Sequence, residues 1–266
     1  MESKKDEFIK IAKLCSLTYF NQEFMDKSYK NIHKIEENDN RFIIKNCIKN
    51  PILYSSDNDC QVYIYEYIDT IYVCFRGTDS YQDAKKNLKI NLDYFILPNF
   101  ENGFFPSVHK GFLEQFNSVK DFICRNLNKN KKIIFCGHSL GGALAALASL
   151  YFSYLYNSLE FKCITFGSPR VGNYLFSRLF NYRVKTCYRF INDKDPVPNL
   201  LNFWIYEHTK GYYLLNDNKN VYNLNWYEWF EEKLKYYLGY GCEMLEDHSC
   251  DSYISDLRNN TCSGMN

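Results

Sequence analysis

The chain lacks several features that would each have fixed its class. No run of ~18 uninterrupted apolar residues occurs, so the sequence predicts no membrane span. The opening residues, "MESKKDE", are charged and lack the apolar core of a signal peptide. Charge of one sign is not in excess: 32 basic residues face 31 acidic ones, and a net charge of +1 argues against nucleic acid as a partner. The 11 cysteines include no CxxC pair, so the expectation is reduced, mostly buried thiols in a cytoplasmic protein. A disulfide or zinc site among Cys242, Cys250 and Cys262 is the alternative. Internal repeats, low-complexity segments and an interdomain linker are all missing, so residues 1–266 are expected to form a single domain.

What is present is apolar and aromatic. Hydrophobic residues make up 46% of the chain, enough for one large core. Residues 3–20 read as an amphipathic helix capped by Ser3, with Phe8, Ile9, Ile11, Ala12, Leu14 and Cys15 as its apolar stripe. Residues 21–50 are polar and ambiguous. "QVYIYEYIDTIYVCFRG" (61–77) reads as two strands joined by a turn. A short helix is expected within 79–92, loop over 93–108, and a helix over 110–127. Strands at 132–136, 161–166 and 186–190 then alternate with helices at 140–155 and near 172–180. That alternation predicts an α/β fold with a central, mostly parallel sheet and helices on both faces. Strand-like pieces near 205–215 and 219–222 and an aromatic helix near 225–238 close the reading.

One stretch carries chemistry. In "KIIFCGHSLGGALAALAS" (132–149), a strand pattern runs into Gly137-His138-Ser139-Leu140-Gly141 and then a helix pattern. A strand turning sharply into a helix strains its corner residue, and side chains two positions either side would collide, so glycine stands at both. The corner serine then projects its hydroxyl above the sheet at a helix N-terminus, where N–H groups favour developing negative charge. The spacing fits neither a P-loop nor GxGxxG. A serine nucleophile needs a base, and this arrangement orders the partners Ser, acid, His. Asp193 and Asp195, past the strand at 186–190, both qualify as the acid. Of the five histidines, His208 and His248 follow them; His208 lies in an alternating strand-like segment, and His248 in a polar segment suited to a loop over a site. Two N–H donors should face the oxyanion: the backbone of Leu140, and that of Thr78 in the loop after the strand at 71–75.

Together these pieces resemble the class 3 lipases, the fungal triacylglycerol lipase-like branch of the α/β-hydrolases. The matching segments run in the family's order: "CFRGTDS" (74–80), "VHKGF" (108–112), "GHSLGGALA" (137–145), "ITFGSPRVGN" (164–173), "NDKDPVP" (192–198), "YEHTKGYYL" (206–214) and "DHSCDSY" (247–253). The resemblance implies Ser139 as nucleophile, Asp195 rather than Asp193 as triad acid, His248 as base, and Thr78 and Leu140 at the oxyanion hole. It implies hydrolysis of carboxylic esters of lipids, acylglycerol or phospholipid, through an acyl-serine, with a lipid ester as partner and no metal or organic cofactor. Residues 79–100 match the family's lid-like segment. Their first half carries Lys85, Lys86 and Lys89, and their second half Leu92, Tyr94, Phe95, Ile96 and Leu97. Two readings follow: a movable cover meeting a lipid surface, or a fixed surface element. The departure is at Asp83-Ala84, where many relatives carry tryptophan after the aspartate. The rival function is a non-catalytic lipase-like binding or signalling module.

Overall fold

The computed structural model describes residues 3–37, 39–58, 60–78, 91–101, 103–192, 195–201, 204–215, 221–222 and 248–259. Residues 79–90 of the helix expected within 79–92, the helix expected near 225–238, the residues Lys85, Lys86, Lys89 and Asp193, and the cysteines Cys242 and Cys262 lie outside the described residues, and Leu92 belongs to a strand.

Period-two patterning builds the sheet. Strands β1 (Ile52–Ser55), β2 (Gln61–Glu66), β3 (Thr70–Phe75), β6 (Lys132–His138), β7 (Phe161–Phe166), β8 (Thr186–Asn192), β9 (Tyr212–Leu215) and β10 (Val221–Tyr222) are ordered β1-β2-β3-β6-β7-β8-β9-β10. The five from β3 to β9 are parallel, and the edges are antiparallel. Alternate residues feed two cores. Val62, Ile64, Ile71, Val73, Ile133 and Phe135 face one layer. Tyr63, Tyr65, Tyr72, Cys74, Ile134 and Cys136 face the other.

Helices cover both faces. Helix α1 (Lys4–Leu17) is capped by Ser3 and Asp6 in a reciprocal box, and it buries Phe8, Ile11, Ala12, Leu14, Cys15 and Leu17. It packs against the last described helix, α6 (Cys250–Asn259). On the opposite face lie α3 (Lys110–Asn126), α4 (Leu140–Leu155) and α5 (Tyr174–Arg183). The alanines of α4 are buried, and their small size brings its backbone close to the sheet.

The structure adds to the ambiguous and loop regions. Residues 21–50 hold α2 (Gln22–Lys30), capped by Asn21, and 3-10 turns at Ile32–Lys34 and Asn40–Asn46. The stretch expected as loop over 93–108 contains most of a two-stranded sheet, β4 (Leu92–Tyr94) with β5 (Ser107–His109). The apolar cluster of residues 92–97 is split by alternation: Phe95 and Leu97 enter the core, whereas Tyr94 and Ile96 are 66% and 60% exposed. Only 212–215 of the strand-like piece at 205–215 is strand. No helix among the described residues is long and apolar enough to cross a membrane.

Candidate active site

Ser139 sits at the corner between β6 and α4 with φ 56° and ψ −128°, a left-handed backbone for a residue that has a Cβ. The turn is held from both sides: the Ser139 N–H donates to the Phe166 carbonyl at 2.9 Å, and the Gly142 N–H donates back to the Ser139 carbonyl at 2.9 Å. A Cβ on Gly137 would come within 2.2 Å of the Gly141 carbonyl, and one on Gly141 within 2.1 Å of the Phe75 carbonyl oxygen. Backbone meets backbone at both points, so only hydrogen fits.

The expected acid, Asp195, has a fully buried side chain. One oxygen, Oδ1, accepts the Val197 N–H at 2.9 Å. The other, Oδ2, accepts from His248 Nδ1 at 2.8 Å and from the Tyr253 hydroxyl at 2.5 Å. Tyr253 in turn accepts the Asn192 N–H at 3.0 Å. Burial and the Asp195 carboxylate hold the Tyr253 phenol well above its ordinary range, so it stays a donor. With Nδ1 committed to Asp195, Nε2 is the nitrogen of His248 that can serve as base. Gly167, at φ +60°, follows Phe166 on the strand that holds the Ser139 N–H. A Cβ there would lie 2.5 Å from Asp195 Oδ2 and 3.0 Å from the His248 ring. Asp195, His248 and the Ser139 turn thus converge on this glycine.

His138 supports His248. Its Nε2 donates to the His248 carbonyl at 2.5 Å, and its Nδ1 accepts from the Tyr19 hydroxyl at 2.8 Å. The two imidazoles lie 4.5 Å apart, centre to centre. Burial, and the repulsion a second cation would feel from His248, push the His138 pKa well down, so its ring is neutral near pH 7.

Leu140 is the first residue of α4, and its N–H has no helical carbonyl to bind. Thr78 follows β3 and, with Ser139 and Leu140, lines one cavity, whose apolar walls are Phe112, Pro169, Val197 and Leu200. Arg170, nearly fully buried, holds that wall: its Nη1 donates to the carbonyls of Leu201 at 2.7 Å and Asn199 at 3.1 Å.

The structure therefore brings Asp195 and His248 into contact beside the Ser139 turn, with Thr78 and Leu140 at its mouth. His208 is placed elsewhere, bonded through Nε2 to the Pro198 carbonyl at 2.8 Å. Tyr253, His138, Tyr19 and Arg170 received no role from sequence. Signals existed for three of them, since Tyr253, His138 and Arg170 stand inside quoted motif segments. For metal, the one candidate group among the described residues is Cys15, Cys74 and Cys136, whose sulfurs lie within 4.8 Å of one another under α1. Burial raises all three thiols far above their ordinary pKa.

Comparison with known proteins gives a consistent picture. A family model described as Lipase (class 3) matches residues 72–204, half of the chain. A lipase of Caenorhabditis elegans is 33% identical over 151 residues, covering 54% of this chain and 42% of that protein. The secreted mono- and diacylglycerol lipase 1 of Fusarium solani is 36% identical over 116 residues, covering 41% of this chain and 34% of that protein. The chain thus spans less than half the length of these two relatives. The fold matches the triacylglyceride lipase of Rhizomucor miehei with a TM-score of 0.66 at 24% identity, over 80% of each chain.

Proposed function

The chain belongs to the class 3 lipase family, and on that premise we propose that it is a serine hydrolase cleaving carboxylic ester bonds of lipids, in acylglycerols or phospholipids. The observation that carries the reading is the buried Asp195 carboxylate, bonded at once to His248 Nδ1 and the Tyr253 hydroxyl beside the strained Ser139 turn. In the proposed cycle, His248 Nε2 takes the Ser139 proton as Oγ attacks the ester carbonyl. Asp195 holds the imidazole in the tautomer that carries its proton on Nδ1 and stabilises the imidazolium as it forms. The Thr78 and Leu140 N–H groups receive the oxyanion, each donor being worth about 3 kcal/mol in comparable sites. His248 then protonates the departing alcohol, and water repeats the sequence on the acyl-serine. Binding without catalysis is the weaker reading, because a binding module has no use for a buried carboxylate aligned on a histidine next to a strained serine.

A cytoplasmic location belongs to the same proposal; the nine described cysteines are free thiols, which suits a reducing compartment, and cell fractionation tests it. Hydrolysis of p-nitrophenyl esters of rising chain length, by wild type and Ser139→Ala, tests the activity. Turnover lost in the variant supports the proposal. A folded wild type inert on every ester sinks it.

A further inference from the structure

Thr78 stands between two cavities of unequal size and character. The smaller, about 90 Å³, is the apolar one lined by Ser139. The larger, about 840 Å³, is lined by His138 and His248. Its lining also includes Phe20 and Phe24 around the start of α2, Asp39 and Arg41, and Asp251 on α6. Apart from Thr78 and His138, the residues named in this wall lie outside the segment that the family model matches.

The chemistry of acylation assigns a role to each cavity. The bond from Ser139 Oγ to the carbonyl carbon forms, the bond from that carbon to the alcohol oxygen breaks, and the proton that His248 took from Ser139 passes to the departing oxygen. The departing alcohol must therefore lie toward His248, while the acyl chain stays tethered on the side that Ser139 lines. The larger cavity falls to the leaving group. Its volume is that of a pocket for a whole small ligand, more than one hydroxyl needs.

Its lining is charged and aromatic. Arg41 commits Nε and Nη2 to Asp39, at 3.0 and 2.5 Å. The pair fixes the guanidinium plane and, among the described residues, leaves the two N–H groups of Nη1 for an anionic oxygen. Phe20 and Phe24 are stacked at 4.3 Å, the Arg41 guanidinium lies 5.5 Å from the Phe24 ring centre, and Phe20, 42% exposed, is the ring open to a ligand. The Phe20 ring face attracts an ammonium group, and the Asp251 carboxylate on the same cavity adds countercharge. A cation for a phosphate, with an aromatic face and a carboxylate for an ammonium, suits a zwitterionic headgroup better than a further acyl chain.

Resting on the hydrolase reading above, we propose that the cavity between α2, Arg41 and His248 is a leaving-group subsite. It takes an alcohol bearing a phosphate and an ammonium, as in a glycerophospholipid. The test holds the acyl group constant and changes the alcohol: kcat/KM is measured on p-nitrophenyl butyrate, tributyrin and dibutyroyl phosphatidylcholine, each as monomers. All three form the same butyryl-Ser139, so a difference between them arises in acylation. The ratio of phosphatidylcholine to p-nitrophenyl butyrate turnover should fall about tenfold in Arg41→Gln, the loss of one charge-assisted hydrogen bond. It should fall by about threefold in Asp251→Asn, which leaves the Arg41–Asp39 pair in place. Ratios unchanged in both variants overturn the subsite, as does a wild type that cleaves the other two esters and not phosphatidylcholine. A wild type inert on all three overturns the hydrolase reading itself and takes this inference with it.

Discussion

The two halves of the site are built in different ways. The serine half comes from one continuous stretch, β6 into α4, backed by the end of β3, and sterics hold it: a left-handed Ser139 between glycines whose Cβ positions are occupied by backbone. The histidine half is assembled from three further stretches, around Tyr19, Asn192 and Asp195, and His248 to Tyr253, joined to the first through His138, and hydrogen bonds hold it. Sterics tolerate no small change, whereas a network of hydrogen bonds loses its members one at a time. Substitutions on the serine side should therefore act on folding or remove turnover outright. Those on the histidine side should reduce turnover in a protein that still folds.

The largest effect is expected from the reacting groups themselves. Ser139→Ala and His248→Ala should each lower kcat on the order of 10⁴-fold or more in a protein that still folds. Asp195→Asn should lower kcat by about 10³- to 10⁴-fold, because the amide favours the wrong imidazole tautomer. Gly137→Ala tests the steric side. Its Cβ meets backbone at 2.2 Å, and a melt should show a destabilisation of about 3 kcal/mol or failure to fold. A Gly137→Ala protein as stable as wild type would break the comparison.

Smaller effects probe the network. Tyr253→Phe removes the second donor to Asp195 Oδ2 and the acceptor of the Asn192 N–H. About tenfold in kcat should be lost, near the cost of a charge-assisted hydrogen bond, with KM little changed. His138 gives a pH signature. Its folded pKa lies below its unfolded value, so the unfolded chain binds the extra proton first as pH falls. Stability is therefore fully present above about pH 6.5 and declines as pH drops toward the folded pKa, by about 1.4 kcal/mol per pH unit. In His138→Gln that slope should lessen by about one proton, read from melts between pH 5 and 7.

Legibility in the sequence follows the same division. Strands β6, β7 and β8 and the start and end of α4 were readable because hydrophobic period, glycine placement and turn residues agree there. The Ser139 corner was readable for the same reason. The α2 helix was not, since its nine residues bury only Met25 and Ser28 and so show almost no apolar stripe. Nor was α6 readable: its first turn holds Cys250, Asp251 and Ser252, and the buried Tyr253, Ile254 and Leu257 make a short pattern that reads as polar segment. Choosing Asp195 over Asp193 needed the resemblance, because both stand in one turn; the structure shows Asp195 bonded to His248, while Asp193 lies outside the described residues. Tyr19 was beyond reach, as its bond to His138 spans 119 positions with no motif to flag it.

The most direct measurement is active-site labelling with a fluorophosphonate, followed by peptide mapping, on wild type and His248→Ala. The account predicts one adduct per chain, on Ser139, formed far more slowly without His248. A folded wild type that stays unlabelled, or that carries its adduct on another residue, would contradict it.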